Sequence, residues 1–182
     1  MALDTEEVYR ALAAFGVVPA QMYEICLGRE IAASLFKTAI APTELLKTAH
    51  GANRASVFCF REHGALTGFL AVLLLRPSAR GLLKSHSFDA LAFEPDLLAR
   101  PGELPAAAYL WGFAALTKTA SRAVIAAQAC LQTTLFPAIP WYARAASEKG
   151  EAILTVKLGY RRAPGPDDAM YLAAPRPRGA VR

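Results

Sequence analysis

The sequence predicts an α/β fold of the α+β kind, with a mixed central sheet flanked by helices. Residues 55–75 contain two β-prone runs separated by a short turn, which is typical of an antiparallel hairpin. Residues 106–116 form an uncharged, aromatic-rich run that suits a strand covered on both faces. Apolar residues then recur at helical spacing over residues 123–135, which indicates a strand–helix crossover.

The length of the chain favours one domain. At 182 residues it is large enough to bury a substantial core. We expect a single domain over residues 1–174, with helices over residues 1–54 and the sheet with its crossover helices over residues 55–174. Residues 175–182 (PRPRGAVR) are expected to form a flexible basic tail.

The charge of the chain gives little support to nucleic acid as a partner. The net charge is +5, and three of those charges come from the tail, at Arg176, Arg178 and Arg182. The predicted domain therefore carries a net charge near +2, without an evident basic face. We expect no nucleic-acid partner.

The cysteines and histidines also restrict the possible functions. Three cysteines lie far apart in apolar surroundings, at Cys26, Cys59 and Cys130. This is typical of reduced thiols in a cytoplasmic protein. The three histidines have no cysteine or acid at metal-ligand spacing, so we expect no metal site.

No membrane segment is expected from the sequence. The first residues include acids where a secretory signal has a basic region. Residues 123–143 lack charge for 21 positions, but glutamines and threonines lie in the middle of this run, and Pro137 and Pro140 interrupt it. We therefore expect a cytoplasmic protein without a membrane partner.

The first fifty residues are predicted to be helical. One helix covers residues 4–15, where acids precede apolar positions at helical spacing. A second covers about residues 19–37, and Gly28 weakens its middle. A third, of one or two turns, covers residues 42–49, and residues 51–53 follow as a loop.

The predicted hairpin and a long connection follow. The two strands cover residues 55–61 and 66–75, and Gly64 supplies the positive φ that the turn between them needs. Residues 78–105 then form a connection whose prolines prevent a long regular element, apart from a helical turn at residues 81–84. Such long connections often carry function, so this one is either an acceptor-side lid or a solvated covering loop.

The junction between the central strand and its helix is the first candidate site. It carries the small polar or cationic residues Thr117, Lys118, Thr119 and Ser121. A helix that begins there presents free backbone N–H groups and the positive end of its dipole, which suits a phosphate. The other interpretation is an ordinary crossover whose helix is capped by Thr119 or Ser121.

The last quarter of the chain is predicted to complete the sheet. A strand covers residues 139–145, and a helix over residues 147–157 follows it. Two short strands at residues 160–163 and 169–173 form a final hairpin around a turn at residues 164–168.

Two motifs and the order of the elements resemble the GNAT superfamily of acetyl-CoA-dependent N-acetyltransferases. In that family a Q/R-x-x-G-x-G/A turn joins the central strand to its helix. Residues 118–123 (KTASRA) align with this turn, with a basic first residue, a small last residue and Ser121 in place of the middle glycine. The family's second signature, a helix that runs into "klGF", is similar to residues 157–160 (KLGY). The resemblance covers roughly residues 55–174.

The resemblance implies a binding site for acetyl-CoA or another acyl-CoA. Backbone N–H groups of the turn would hold the pyrophosphate, and the central strand would flank the pantetheine arm and polarise the thioester carbonyl. The cofactor-binding residues implied are Gly112, Phe113, Ala114, Ala115, Lys118, Thr119, Ala120, Ser121, Arg122 and Ala123.

The catalytic residues depart from the family's pattern. Attack of a neutral amine on the thioester needs a base, and the family often uses a tyrosine as the acid toward the thiolate. That tyrosine is Thr155 here, or Leu154 if Val156 is an insertion, and the central strand has no acid. The remaining catalytic candidates are Glu94, Asp89 and Tyr142, although a tyrosine on a core strand is more often a buried packing residue.

The sequence therefore predicts a divergent acyl-CoA-dependent N-acyltransferase whose acceptor is a small-molecule or peptide amine. One alternative is a GNAT-like domain that has lost catalysis and serves as a binding or assembly module, and another is an α/β domain with no relation to coenzyme A. We also expect a homodimer. The apolar helix within residues 123–143 needs a second cover besides the sheet, and this is either the N-terminal helices or a second subunit.

Overall fold

The computed structural model describes residues 1–165 and 169–176. Residues 166–168 of the predicted turn and residues 177–182 of the predicted tail lie outside the described residues. The helices are α1 (Thr5–Ala13), α2 (Met22–Leu35), α3 (Thr43–Asn53), α4 (Ala79–Lys84), α5 (Lys118–Cys130) and α6 (Glu148–Ala152). The strands are β1 (Val17–Pro19), β2 (Val57–Glu62), β3 (Ala65–Leu75), β4 (Ala107–Ala115), β5 (Trp141–Arg144), β6 (Arg161–Arg162) and β7 (Met170–Ala173).

The strands form one mixed sheet in the order β1-β2-β3-β4-β5-β7-β6. Strands β4 and β5 are parallel, and the other neighbours are antiparallel. The parallel pair is joined through α5, as a crossover connection requires. The predicted α+β class, with a mixed central sheet flanked by helices, is confirmed.

Side chains alternate between two apolar layers along the strands. Leu70, Val72 and Leu74 of β3 pack with α1 and α5 on one side, which we call face A. Leu73 and Leu75 pack with α4 and the long connection on the other side, which we call face B. Helices α2 and α3 also cover face B, over the first half of β3. The central strands are therefore buried on both sides, as their uncharged sequences predict.

The start of the second predicted helix is different in the structure. Residues 17–19 form β1, which pairs with β2 and adds an edge strand to the sheet. Helix α2 begins only at Met22, after Gln21, whose backbone N–H donates to the Glu24 carboxylate at 2.8 Å. The same buried carboxylate accepts a hydrogen bond from Nε of Arg61 on β2 at 2.8 Å, so one ion pair joins the helix start to the sheet.

The predicted loop at residues 51–53 is instead the last turn of α3. The buried Asn53 side chain accepts from the backbone N–H of Ala55 at 2.9 Å and donates to the carbonyl of Ala99 at 3.2 Å. These bonds satisfy the amide within the core, because the helix brings it against the long connection. The helix ends at Arg54, which has a left-handed φ of 58°.

The long connection of residues 78–105 is a packed wall over face B. Its backbone pairs with the end of β3, where the N–H of Ala99 donates to the carbonyl of Leu74 at 2.8 Å. Arg76 forms an ion pair with Glu103 at 2.6 Å, which holds the pKa of that carboxyl well below its usual range, at about 2. Phe88 is buried and stacks on Phe93.

Gly28 lies where α2 approaches the sheet most closely. A Cβ atom at this position would come within 2.0 Å of the Phe69 ring on β3. The glycine that weakens the helix by propensity is therefore required by packing, since any larger residue would push α2 or Phe69 away.

We expect Gly28→Ala to lower the free energy of unfolding by about 1–3 kcal/mol, because the methyl group overpacks the interface with Phe69. Gly51→Ala in α3 is the matched control, since its Cβ would meet only Met22 at 3.9 Å. That substitution should stabilise the protein by roughly 0.5–1 kcal/mol through helix propensity. Urea denaturation of both variants checks this. Equal effects of the two substitutions would contradict the packing account.

Candidate functional site

Strands β4 and β5 pair only over their first residues. Ala108, Tyr109 and Leu110 lie opposite Trp141, Tyr142 and Ala143, and no further pair follows. Strand β4 nevertheless continues to Ala115 along β3. The two parallel strands therefore part in the middle of the sheet. Within the described ranges, no strand pairs with this edge of β4 beyond Leu110.

A bulge lies in β4 at the point of separation. Ala71 of β3 pairs with Gly112 and Val72 pairs with Leu110, so Trp111 is the extra residue. Beyond the bulge, the N–H of Leu116 donates to β3 at 2.9 Å. Because peptide groups alternate along a strand, those of Phe113 and Ala115 face the side that β5 has left.

The separation opens a cavity of about 590 Å³ that crosses the sheet. Its lining includes Gly112 and its neighbours at the centre. Residues that line the cavity on face A include Ser121, Ala143, Lys149, Ile153 and Leu154. Residues that line it on face B include Leu35, Phe36, Ile40, Leu46, Phe69 and Trp111.

Only some of the residues that the resemblance assigns to the cofactor line the cavity. Gly112, Phe113, Ala114 and Ala115 all line the cavity, and so does Ser121. The residues that do not line it are Lys118, Thr119, Ala120, Arg122 and Ala123. The whole aligned segment lies within the first two turns of α5, whereas the alignment predicts a turn before the helix.

Thr117 caps α5, in place of the predicted Thr119 or Ser121. Its hydroxyl accepts a hydrogen bond from the N–H of Ala120 at 3.0 Å and donates to the Glu62 carboxylate at 2.5 Å. The Thr117 hydroxyl holds the pKa of Glu62 below its usual value. An internal anion therefore already lies beside the helix start.

Of the three catalytic candidates, the structure brings only Asp89 to the cavity. Its side chain is exposed and accepts a hydrogen bond from the N–H of Leu91 at 2.8 Å. Glu94 is exposed in the long connection and does not line the cavity. Tyr142 is buried in the face B core, and burial raises its pKa. Two residues can align with the family's tyrosine. Thr155 is exposed and donates a hydrogen bond to the Glu151 carbonyl, whereas Leu154 is buried and lines the cavity.

Several lining residues have no signal in the sequence. Trp111 donates its indole N–H to the carbonyl of Ala90 at 2.9 Å, which joins β4 to the long connection. Arg144 reaches the same connection and donates to the carbonyl of Phe88 at 3.3 Å. Lys149 adds an exposed cation on α6. These residues come from β4, β5 and α6, and they line one cavity because β4 and β5 separate there.

Metal and membrane sites are not evident in the part of the chain that the structure describes. No group of three or more histidine, cysteine or acidic side chains in that part could hold a metal ion. No described helix is long and apolar enough to cross a membrane. All three cysteines are free thiols, and burial raises the pKa of Cys59 to about 12.

Comparison of the chain with known proteins found no relative. No family model, no curated protein and no solved structure matches this chain. Its function is therefore inferred from the cavity and from the residues that line it.

We expect Glu62→Gln to lower the melting temperature at neutral pH, because a neutral amide interacts more weakly with the α5 start and the Thr117 hydroxyl. Folding lowers the pKa of the Glu62 carboxyl from its unfolded value, near 4.5. The carboxylate therefore stabilises the protein fully above pH 4.5, and this stabilisation is lost as the pH falls through the lower pKa of the folded state. The difference from wild type should therefore shrink below pH 4.5.

Thermal unfolding of both proteins from pH 7 to pH 3 checks this expectation. The control is the same Glu62→Gln substitution made in a Thr117→Ala variant, which lacks the hydroxyl that donates to Glu62. In that variant the effect of Glu62→Gln should be smaller. The interaction would be contradicted if Glu62→Gln lowered the melting temperature equally at every pH, or equally with and without Thr117→Ala.

Proposed function

We propose that the protein is a divergent acyl-CoA-dependent N-acyltransferase that transfers an acyl group from a coenzyme A thioester to an amine. The observation that carries the proposal is the parting of β4 and β5. It leaves the backbone of a central strand open to a cavity that crosses the sheet. This is the strand that the GNAT resemblance assigns to the pantetheine arm.

The cavity offers groups suited to each part of the cofactor. The outward peptide groups of Phe113 and Ala115 can hydrogen-bond the amides of a pantetheine arm, as an added strand would. On face A, Ser121 in the first turns of α5 and the cation of Lys149 line the opening. In the proposal the coenzyme A phosphates are bound by this hydroxyl and this cation, since Lys118 and Thr119 do not line the cavity and Glu62 already lies beside the helix start.

The proposed reaction forms an amide and releases a thiol. The neutral amine attacks the thioester carbonyl carbon, and the C–S bond breaks as the thiolate leaves. The proton lost by the amine nitrogen finally resides on the coenzyme A sulfur. Backbone N–H groups of β4 near its bulge stabilise the negative charge on the carbonyl oxygen. Asp89 is the candidate proton acceptor, because it is the only one of the three catalytic candidates that lines the cavity.

One observation favours the alternative of a binding or assembly module. Neither residue that can align with the family's tyrosine, Thr155 or Leu154, carries a phenol, and Tyr142 does not line the cavity, so none of them supplies an acid toward the thiolate. Titration with acetyl-CoA, followed by assay of thiol release with a panel of amines, separates the two functions. Binding without thiol release from any amine would favour the module.

We expect Gly112→Leu to weaken binding of acetyl-CoA at least about tenfold, because a leucine side chain at the opening would occupy the place of the thioester. A Cβ at Gly112 meets no atom within 4 Å, so the change should not strain the fold. Ser121→Asp should weaken binding similarly by placing a charge against the phosphates. Isothermal titration calorimetry measures both effects.

Gly81→Leu is the matched control for the cavity variant. Gly81 lies in α4, away from the cavity, and its Cβ would also meet nothing within 4 Å. This control should bind as wild type does. If the wild-type protein bound acetyl-CoA and neither Gly112→Leu nor Ser121→Asp changed the affinity, the ligand would not occupy this cavity.

A cytoplasmic homodimer completes the proposal. The free thiols favour a reducing compartment. Val8 and Leu12 of α1 pack in one cluster with Val124 of α5, so an N-terminal helix supplies a second cover for α5. The homodimer therefore needs another contact surface, and we place it on α2, where Met22 and Tyr23 are 48% and 67% exposed.

We expect light scattering at micromolar concentration to give twice the 19.5 kDa mass of one chain. Tyr23→Glu should shift the mass toward that of the monomer, because a charge would be buried in the contact. Leu104→Glu, at a similarly exposed apolar residue outside α2, is the control. A wild-type mass of one chain at every concentration would show that the protein is a monomer.

A further inference from the structure

The face B part of the cavity continues beyond β4 as an apolar compartment. We define this face B compartment by Leu35, Phe36, Ile40, Leu46, Phe69 and Trp111. Leu46 and Phe69 are almost fully buried, and the lining also includes the small residues Ala32 and Ala41 and the hydroxyl-bearing Thr38. Its walls come from α2, the segment after α2, α3 and β3, so several elements of the fold combine to build it.

Charged groups lie at one side of the face B compartment. The ionisable side chains that line it, among the residues that the structure describes, include Asp89 and Arg144, together with the phenol of the buried Tyr109. Arg144 donates to the backbone carbonyls of His86 and Phe88, and Asp89 follows in the same segment. The remainder offers a ligand few hydrogen-bond partners, so a polar group placed there would lose its hydration without compensation.

The size of the cavity exceeds what an acetyl group uses. The methyl of an acetyl thioester occupies about the volume of one water, roughly 30 Å³. The whole cavity is about 590 Å³, of which the face B compartment is the part opposite α5 and α6. A cavity of this kind is stabilised by apolar groups that displace water from its walls.

We propose that the face B compartment binds the hydrocarbon chain of a medium-chain acyl-CoA, so that the transferred group is an aliphatic acyl group larger than acetyl. This inference rests on the proposed function. With coenzyme A on face A and the thioester at the β4 bulge, the acyl chain begins at the opening and extends onto face B. The reaction remains the same: the acyl carbon exchanges its bond to sulfur for a bond to the amine nitrogen.

The same apolar walls could in principle hold a hydrophobic acceptor. Two features favour the acyl chain. The first carbon of the acyl chain is bonded to the thioester carbonyl. When that carbonyl lies at the opening, the chain therefore begins at the entrance of the compartment. The acceptor must instead bring a polar nitrogen to that carbonyl, and the groups suited to a polar nitrogen, around Asp89, lie at one side of the compartment.

Isothermal titration of the 182-residue protein with coenzyme A, acetyl-CoA and octanoyl-CoA tests the inference. Each fully buried methylene should tighten binding about fourfold, so octanoyl-CoA should bind at least about tenfold more tightly than acetyl-CoA even if its chain is only partly buried. Octylamine, added to the complex with acetyl-CoA, tests the acceptor as the occupant.

Leu35→Gln probes the compartment wall without a change of charge. Leu35 is 47% exposed at the end of α2, and glutamine is nearly as good a helix former, so the variant should fold. It should reduce the ratio of octanoyl-CoA to acetyl-CoA affinity at least about threefold, since a polar group would contact the chain. Leu82→Gln, at a 38% exposed leucine of α4 outside the cavity, should leave that ratio unchanged.

The outcomes separate the inference from the proposed function. A wild-type protein that binds coenzyme A, acetyl-CoA and octanoyl-CoA equally would overturn the inference and leave the acyltransferase proposal intact. Octylamine binding that is weakened by Leu35→Gln, with octanoyl-CoA binding unaffected, would assign the compartment to the acceptor and overturn the inference too. Failure of every coenzyme A compound to bind would overturn both.

Discussion

The division of β4 between two neighbours is the constraint on which the site depends. On one side β4 pairs with β3 from Ala107 to Ala115, and on the other it pairs with β5 over only three residues. Strand β5 ends at Arg144 and is held on its far side by β7, so it does not follow β4 further. The bulge at Trp111 lies where the strands part, and bulges increase local twist. These pairings expose the β4 backbone to the cavity.

The close approach of α2 gives this cavity its second wall. Gly28 allows the helix backbone to lie against the Phe69 ring, and Phe69 itself lines the cavity. One helical turn later, Ala32 is buried and lines the same space, so a small side chain leaves volume where a larger one would fill it. The ion pair of Glu24 and Arg61 fixes the start of α2 on β2. Packing that stabilises face B therefore also sets the shape of the compartment.

Sequence reasoning predicted the elements whose signals are local. The hairpin turn at Gly64, with its φ of 82°, and the Ser147 cap, which accepts the N–H of Gly150 at 3.1 Å, are determined by residues close in the chain. Strand β1 could not be predicted, because its three residues are too few to show a period and its pairing with β2 is non-local. The last turn of α3 depends on a bond from Asn53 to distant Ala99.

The candidate catalytic groups show why a site is harder to predict than a fold. Tyr142 and Ala143 are neighbours in β5, but they point to opposite faces of the sheet. Tyr142 lies beside Phe88 and Leu83 in the face B core, whereas Ala143, opposite Leu110 in the last β4–β5 pair, borders the opening. The sequence shows an aromatic residue near the central strand, but the register decides whether its hydroxyl contacts a ligand or is buried in the core.

Asp89 reaches the cavity from a connection whose path is determined by tertiary packing. The strand backbone is therefore the part of the site that the sequence predicts, and the acid–base chemistry requires the fold.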